Sequence, residues 1–258
     1  MSVIAIAGLF ATQGTINLQY QPKIGSSYKS AMTMAQSSQM GNTTTTMTVA
    51  VKVAGFENGY YKLLSSTSNV KVTGGMGNAG QMKKAMEKTT TLYVDKHFKP
   101  KMDNANQAPD MQKMMSGMNS AFSGVTFPSK PVKIGDSWTN TIDMGALMSA
   151  ATKGQKATQG MKSNGKVNLT YKLLKADAGS VTIGLSINGT VNMSMAGGNG
   201  VPGGPQGMKM SMSMSGGGTS SMERATGTPL NSSTKINMQM SFAGQPMNIV
   251  QSVTTKRI

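Results

Sequence analysis

The chain has no cysteine, one histidine, one tryptophan and only nine acidic residues among its 258. Without cysteine there is no disulfide framework, no thiolate metal site and no cysteine lipid anchor. Nine scattered carboxylates define no acid–base pair by spacing, and no Gly-x-Ser-x-Gly elbow is present to present a nucleophile. Aromatic residues are 5% of the chain and arginine occurs only at Arg224 and Arg257, so the interleaved Arg and aromatic pattern of a nucleic-acid face is missing. Long apolar runs are also missing. The run at residues 3–10 (VIAIAGLF) falls well short of the ~20 residues a helix needs to cross a bilayer. Followed by Ala11, it has the form of a secretory core and cleavage region without a positive leading segment, or of a first β-strand. Residues 1–18 are expected to be a signal-like or N-terminal segment, and residues 19–258 one β-rich domain.

What the chain has in excess is methionine, 26 residues, followed by glycine, 31, and a formal net charge of +16. Many methionines fall at every second position, as Met193 and Met195, Met208 to Met214, and Met238 and Met240 do. Period two is the strand period, so each run places its thioethers on one face of a sheet. The lysines are scattered singly and describe a basic exterior suited to anionic headgroups or wall polymers.

Alternation and turn residues place further strands. Met47, Val49, Val51 and Val53 alternate, Glu57-Asn58-Gly59 turns the chain, and residues 60–64 return. Val167 to Leu173 and Val181 to Ile187 repeat that arrangement around residues 176–179, and more strands are expected at 28–36, 70–73, 90–95, 208–214, 234–242 and 247–254. One-sided alternation is antiparallel behaviour. Three stretches change to helical spacing: residues 109–121, with Met111, Met114, Met115 and Met118 on one stripe, and shorter ones at 79–88 and 143–151. The glycine-rich stretches 197–207 and 216–218 are expected to be loops. The fold class that follows is mainly β: a curved antiparallel sheet, half-barrel or open barrel, with the methionine faces inward and the 109–121 helix covering them.

The chain also echoes itself. Lys23-Ile24-Gly25-Ser26-Ser27-Tyr28 and Lys133-Ile134-Gly135-Asp136-Ser137-Trp138 align at an offset of 110 (135 − 25). Downstream, a gapped register sets Gly59 against Gly179, and an ungapped one sets Tyr61 to Leu64 against Tyr171 to Leu174. The gapped register keeps each turn on a turn. Two related halves, about 19–127 and 128–258, are the expectation. The Lys-x-Gly-Asp-Ser-Trp motif at 133–138, with Tyr93-Val94-Asp95 before it and Ala225-Thr226-Gly227 after it, resembles an uncharacterised family of bacterial secreted or envelope β-domains. That resemblance covers most of the chain from about Gln19. It implies a β fold and a periplasmic or extracellular location, and it brings no activity or binding residues.

Four constellations could carry chemistry. Gly75-Met76-Gly77-Asn78-Ala79-Gly80 is a literal G-x-G-x-x-G with Asp95 twenty residues after Gly75, the form of a dinucleotide fingerprint. Its preceding strand alternates and no further βαβ unit follows, so a loop between two strands is the better reading, and no cofactor is expected. His97 reads as a turn residue, and Gly135-Asp136 as a turn beside a core-anchoring Trp138. Met208, Met210, Met212 and Met214 admit a Cu(I) or Ag(I) site, thioethers being soft ligands, against ordinary packing by adaptable side chains. The functional expectation is a non-enzymatic extracytoplasmic carrier for an apolar, lipid-like ligand lined by Met111, Met114, Met115, Met118, Met193, Met195, Met210, Met212, Met238 and Met240. The alternatives are a structural or surface protein with a methionine-filled core, and a methionine-rich Cu(I)/Ag(I) binder.

Overall fold

The computed structural model of the chain describes residues 14–39, 41–74, 80, 83, 86–101, 125–145, 161–195, 209–242 and 245–258, with backbone alone at 161–163, 195, 209 and 242. These residues form β1 (Ser27–Ser38), β2 (Gly41–Glu57), β3 (Tyr60–Gly74), β4 (Thr89–Val94), β5 (Ser137–Asp143), β6 (Met161–Ala176), β7 (Ser180–Met195), β8 (Lys209–Glu223), β9 (Pro229–Phe242) and β10 (Gln245–Arg257). All ten join one open sheet in the order β4-β3-β2-β1-β10-β9-β8-β7-β6-β5. Every neighbouring pair is antiparallel. The first and last strands pair in the middle, and β4 and β5 are the edges.

Strand parity follows the sequence. In β6, Val167, Leu169, Tyr171 and Leu173 are fully buried while Asn168, Thr170 and Lys172 between them are exposed. Each residue is handed on to a same-face partner: Tyr171 lies opposite Trp138 and Leu185, and Leu185 opposite Gly218. Side chains on one face of the sheet build a continuous core with Ile16, Leu18, Tyr20, Val125, Phe127 and Val132, which come from outside the strands. The other face is basic, with Lys29, Lys52, Lys71, Lys166, Lys172, Lys235 and Lys256 all exposed. Asn58 and Gly59 both take positive φ (51° and 82°), the two-residue turn whose twist matches the strands it joins.

The two copies of the Lys-x-Gly motif make the same bonds. Gly25 N–H donates to Val53 O at 2.8 Å and Val53 N–H returns to Ser26 O at 2.9 Å; Gly135 N–H donates to Leu173 O at 2.8 Å and Leu173 N–H returns to Asp136 O at 3.0 Å. Both glycines have positive φ, 84° and 97°. Ser27 pairs with Lys52 as Ser137 pairs with Lys172, and register shifts fall at Val53/Gly55 and at Leu173/Lys175. The offset between the two sets is 110 at the glycines (135 − 25) and 120 at their strand partners (173 − 53).

Several local expectations change. Residues 216–218 are not a loop; they lie inside β8. A Cβ on Gly218 would sit 2.7 Å from Thr234 Cα and 2.9 Å from Ser233 C, and still closer to the Ser233 carbonyl oxygen. Glycine here answers to a close backbone approach. Residues 65–69 (SSTSN) are polar but lie inside β3, where β2 supplies the ladder as far as Ser68; a register shift follows, with Asn69 at positive φ (56°). The G-x-G-x-x-G stretch connects β3 to β4, which are antiparallel partners, so it belongs to no βαβ unit; residues 75–79 themselves lie outside the described residues. Helical backbone is found at 80, 83 and 86 and at 144–145, within two of the expected helices, whereas 109–121 falls outside the described residues. The packed body begins no later than Ile16, which bridges to Val132, and Leu18 is buried beside it. The 3–10 run lies outside the described residues.

Candidate functional site

Strand register, which no single strand reveals, assembles a methionine face. Met193 of β7 lies opposite Met210 of β8; Met212 and Met214 of β8 lie opposite Met240 and Met238 of β9; Met240 in turn lies opposite Met247 of β10. Direct partners start about 4.5–5.5 Å apart at Cβ, so these side chains lie within reach of one another. Met214 and Met212 are buried, at 2% and 9% exposure. Met193, Met210, Met238, Met240 and Met247 are half-buried, as are Ile249, Val253, Met32 and Met34 farther along the same face. Among the candidate lining residues the structure thus brings Met193, Met210, Met212, Met238 and Met240 together. Met195 lies in β7 with its side chain outside the described residues, as are Met111, Met114, Met115, Met118 and Met208 altogether. Sequence reading missed Met247 and the pair Met32 and Met47, opposite each other on β1 and β2, because it could not tell which strands are neighbours.

The opposite end of the same face is aromatic. Tyr20 packs edge-on against Tyr61 and Phe98, at ring separations of 5.4 and 4.8 Å. Its hydroxyl is buried, and the Tyr28 hydroxyl lies near it without meeting hydrogen-bond geometry. Burial, then the neighbouring tyrosines, push the Tyr20 hydroxyl well above the usual phenol range. Burial pushes Tyr28 up to about 12, opposed by Tyr20 and by Arg257, whose guanidinium sits 5.6 Å from the Tyr28 ring centre.

The polar candidates are engaged in turns. Asp95 Oδ1 accepts from the backbone N–H of His97 and of Lys99, both at 2.8 Å. The Asp136 carboxylate accepts from Lys133 N–H at 2.8 Å, and Glu223 from the Thr226 hydroxyl at 2.6 Å. The His97 carbonyl accepts from Phe127 N–H at 2.8 Å, while its ring Nδ1 is buried without a hydrogen-bond partner. Trp138 donates its indole N–H to the Thr126 carbonyl at 2.6 Å and stacks on Tyr171 at 5.7 Å. Among the described residues no group of three His, Cys, Asp or Glu could hold a metal ion, and no helix is long and apolar enough to cross a membrane. Comparison with protein-family models and with curated proteins finds no match to the chain.

Proposed function

We propose that this protein is a non-enzymatic carrier or binding domain for an apolar, lipid-like ligand, working at an anionic surface of the bacterial cell envelope, periplasmic or extracellular. The observation that carries the reading is the methionine face: cross-strand thioethers and aliphatics that are half-buried on one side of a sheet whose other side is lysine-rich. Unbranched, polarizable side chains adapt to varied apolar shapes better than a Val or Ile face does. The lysine face supplies attraction to anionic headgroups or wall polymers, worth about 1 kcal/mol per residue near a charged membrane.

The proposal includes a curled sheet, half-barrel or open barrel, with the methionine face concave and two related halves. Ten flat strands would hold β4 and β5 about 43 Å apart, nine spacings of ~4.8 Å. Yet Trp138 of β5 bonds to Thr126 O, Phe127 N–H bonds to His97 O, and His97 lies three residues beyond the end of β4. That path spans at most about 26 Å for an extended backbone and one indole, well short of the flat distance. Glycines support the same bend, since Gly189 and Gly216 on the methionine face would each press a Cβ into neighbouring backbone. The covering element in this proposal is the Met-striped helix read at 109–121, which together with Met111, Met114, Met115 and Met118 completes the ligand's surroundings. The absence of enzymatic activity is proposed because Asp95, Asp136 and Glu223 are spent on turns.

A second reading, a structural protein whose methionines fill its core, is favoured by the burial of Met212 and Met214. Native mass spectrometry of the purified protein, followed by organic extraction, separates the two. A bound lipid-like mass supports the carrier. A ligand-free protein that also fails to take up lipid from mixed vesicles supports the structural reading.

A further inference from the structure

One row of the methionine face has a chemistry distinct from apolar binding. Met212, Met240 and Met247 are consecutive cross-strand partners on β8, β9 and β10, with Met210 and Met238 two residues away along β8 and β9 on the same face. Starting about 4.5–5.5 Å apart at Cβ, three neighbouring Met side chains, each with three rotatable bonds, can converge their sulfurs on one point. Where the same face is fully buried, the chain uses Val167, Leu169, Leu173, Ile183 and Ile187, residues that suit a pleated surface and freeze fewer rotamers. Methionine also fills buried positions of this face, Met214 and Met222 among them. The row differs in setting three thioethers side by side on consecutive strands, two of them, Met240 and Met247, only half-buried.

We propose that the Met212–Met240–Met247 row is a soft-metal site that takes Cu(I) as a thioether complex. Neutral thioethers select soft monovalent d10 ions over the harder divalent ones, which prefer nitrogen and oxygen donors. No group of three His, Cys, Asp or Glu competes among the described residues. Thioethers also carry no proton to displace, so this site keeps its metal in acid, where imidazole and thiolate sites release theirs. The inference stands apart from the apolar-ligand reading: it requires three sulfurs in register and no cavity.

The test titrates the full-length protein anaerobically with Cu(I) against a chromogenic competitor, and in parallel with Ag(I), at pH 7 and pH 5. The expected result is one equivalent bound, with affinities at the two pH values within about twofold. The variant M212L/M240L/M247L, which nearly conserves volume, should bind more than about 100-fold weaker, since loss of even an outer partner costs about 10–100-fold. M32L/M34L, on the same face of β1, should bind as the wild type does. No binding by the wild type, undiminished binding by the triple variant, or affinity that collapses at pH 5 overturns the proposal. If the triple variant does not fold, peroxide oxidation of the wild type decides. Ag(I) should protect the half-buried Met240 and Met247 and leave the equally half-buried Met32 and Met34 reactive, and oxidation of Met240 and Met247 that Ag(I) does not slow overturns the site.

Discussion

Replacing Gly218 by alanine sets two physical effects against each other. In a strand interior, Gly to Ala ordinarily stabilises, by about 0.4–1 kcal/mol through the smaller entropy of the unfolded chain. Here the added methyl would lie 2.7 Å from Thr234 Cα and 2.9 Å from Ser233 C, and nearer still to the Ser233 carbonyl. Those atoms belong to the backbone of β9, so no side-chain rotation relieves the overlap; the strands must part by about an ångström at the Ser233 carbonyl. Overpacking of this kind costs about 1–3 kcal/mol, and stretching the flanking ladder hydrogen bonds adds about 1 kcal/mol. The net expectation is destabilisation of roughly 2–3 kcal/mol, opposite in sign to the propensity term. Gly179 is the control, because a Cβ there meets nothing within 4 Å. Urea unfolding followed by circular dichroism should show a lower midpoint for G218A at unchanged slope, and a midpoint at or slightly above wild type for G179A. A neutral or stabilised G218A would refute the close approach of β8 and β9 at this position.

Other consequences follow from named contacts. Trp138→Phe removes the 2.6 Å bond to Thr126 O and part of the stack on Tyr171, and should cost roughly 1–3 kcal/mol in denaturant unfolding. Tyr28 has its folded value raised from 10.0 to about 12, so the stability it contributes is fully present below pH 10 and is lost as pH rises through 10 to 12, roughly 2–3 kcal/mol over that window. Ultraviolet titration should show Tyr28→Phe removing a transition near pH 12, and an early transition near pH 10 at this residue would contradict its burial. Because the G-x-G-x-x-G stretch joins antiparallel strands, calorimetry with a nicotinamide dinucleotide should register no binding; heat of binding that Gly77→Val abolishes would reverse that expectation.

Much of the sheet was legible because alternation is local. Val167 to Leu173 and Val181 to Ile187 declare their faces residue by residue, and the burial matches. The edge strand β5 was missed: Trp138, Asn140 and Ile142 share its face, and an asparagine in the middle breaks the apolar pattern. Residues 216–218 misled because glycine marks both a flexible loop and a crowded strand, and only the position of β9 distinguishes them. The methionine stripes of β8 and β9 were read correctly as single faces. Their alignment into Met212 with Met240 and Met247 was not readable, since register between strands is a property of the whole sheet. Packing of Ile16, Leu18, Val125 and Phe127 against the strands is equally non-local.

Binding of a fluorescent fatty-acid probe to delipidated protein tests the central claim most directly, when wild type is compared with Met240→Lys and Gln239→Lys. These adjacent positions of β9 face opposite sides of the sheet, Met240 half-buried on the methionine face and Gln239 exposed on the lysine face. A lysine at 240 puts a charge where the apolar ligand would lie, so the account predicts saturable binding by wild type and Q239K and its loss in a folded M240K. Wild type that takes up no probe, or M240K that binds as wild type does, would contradict it.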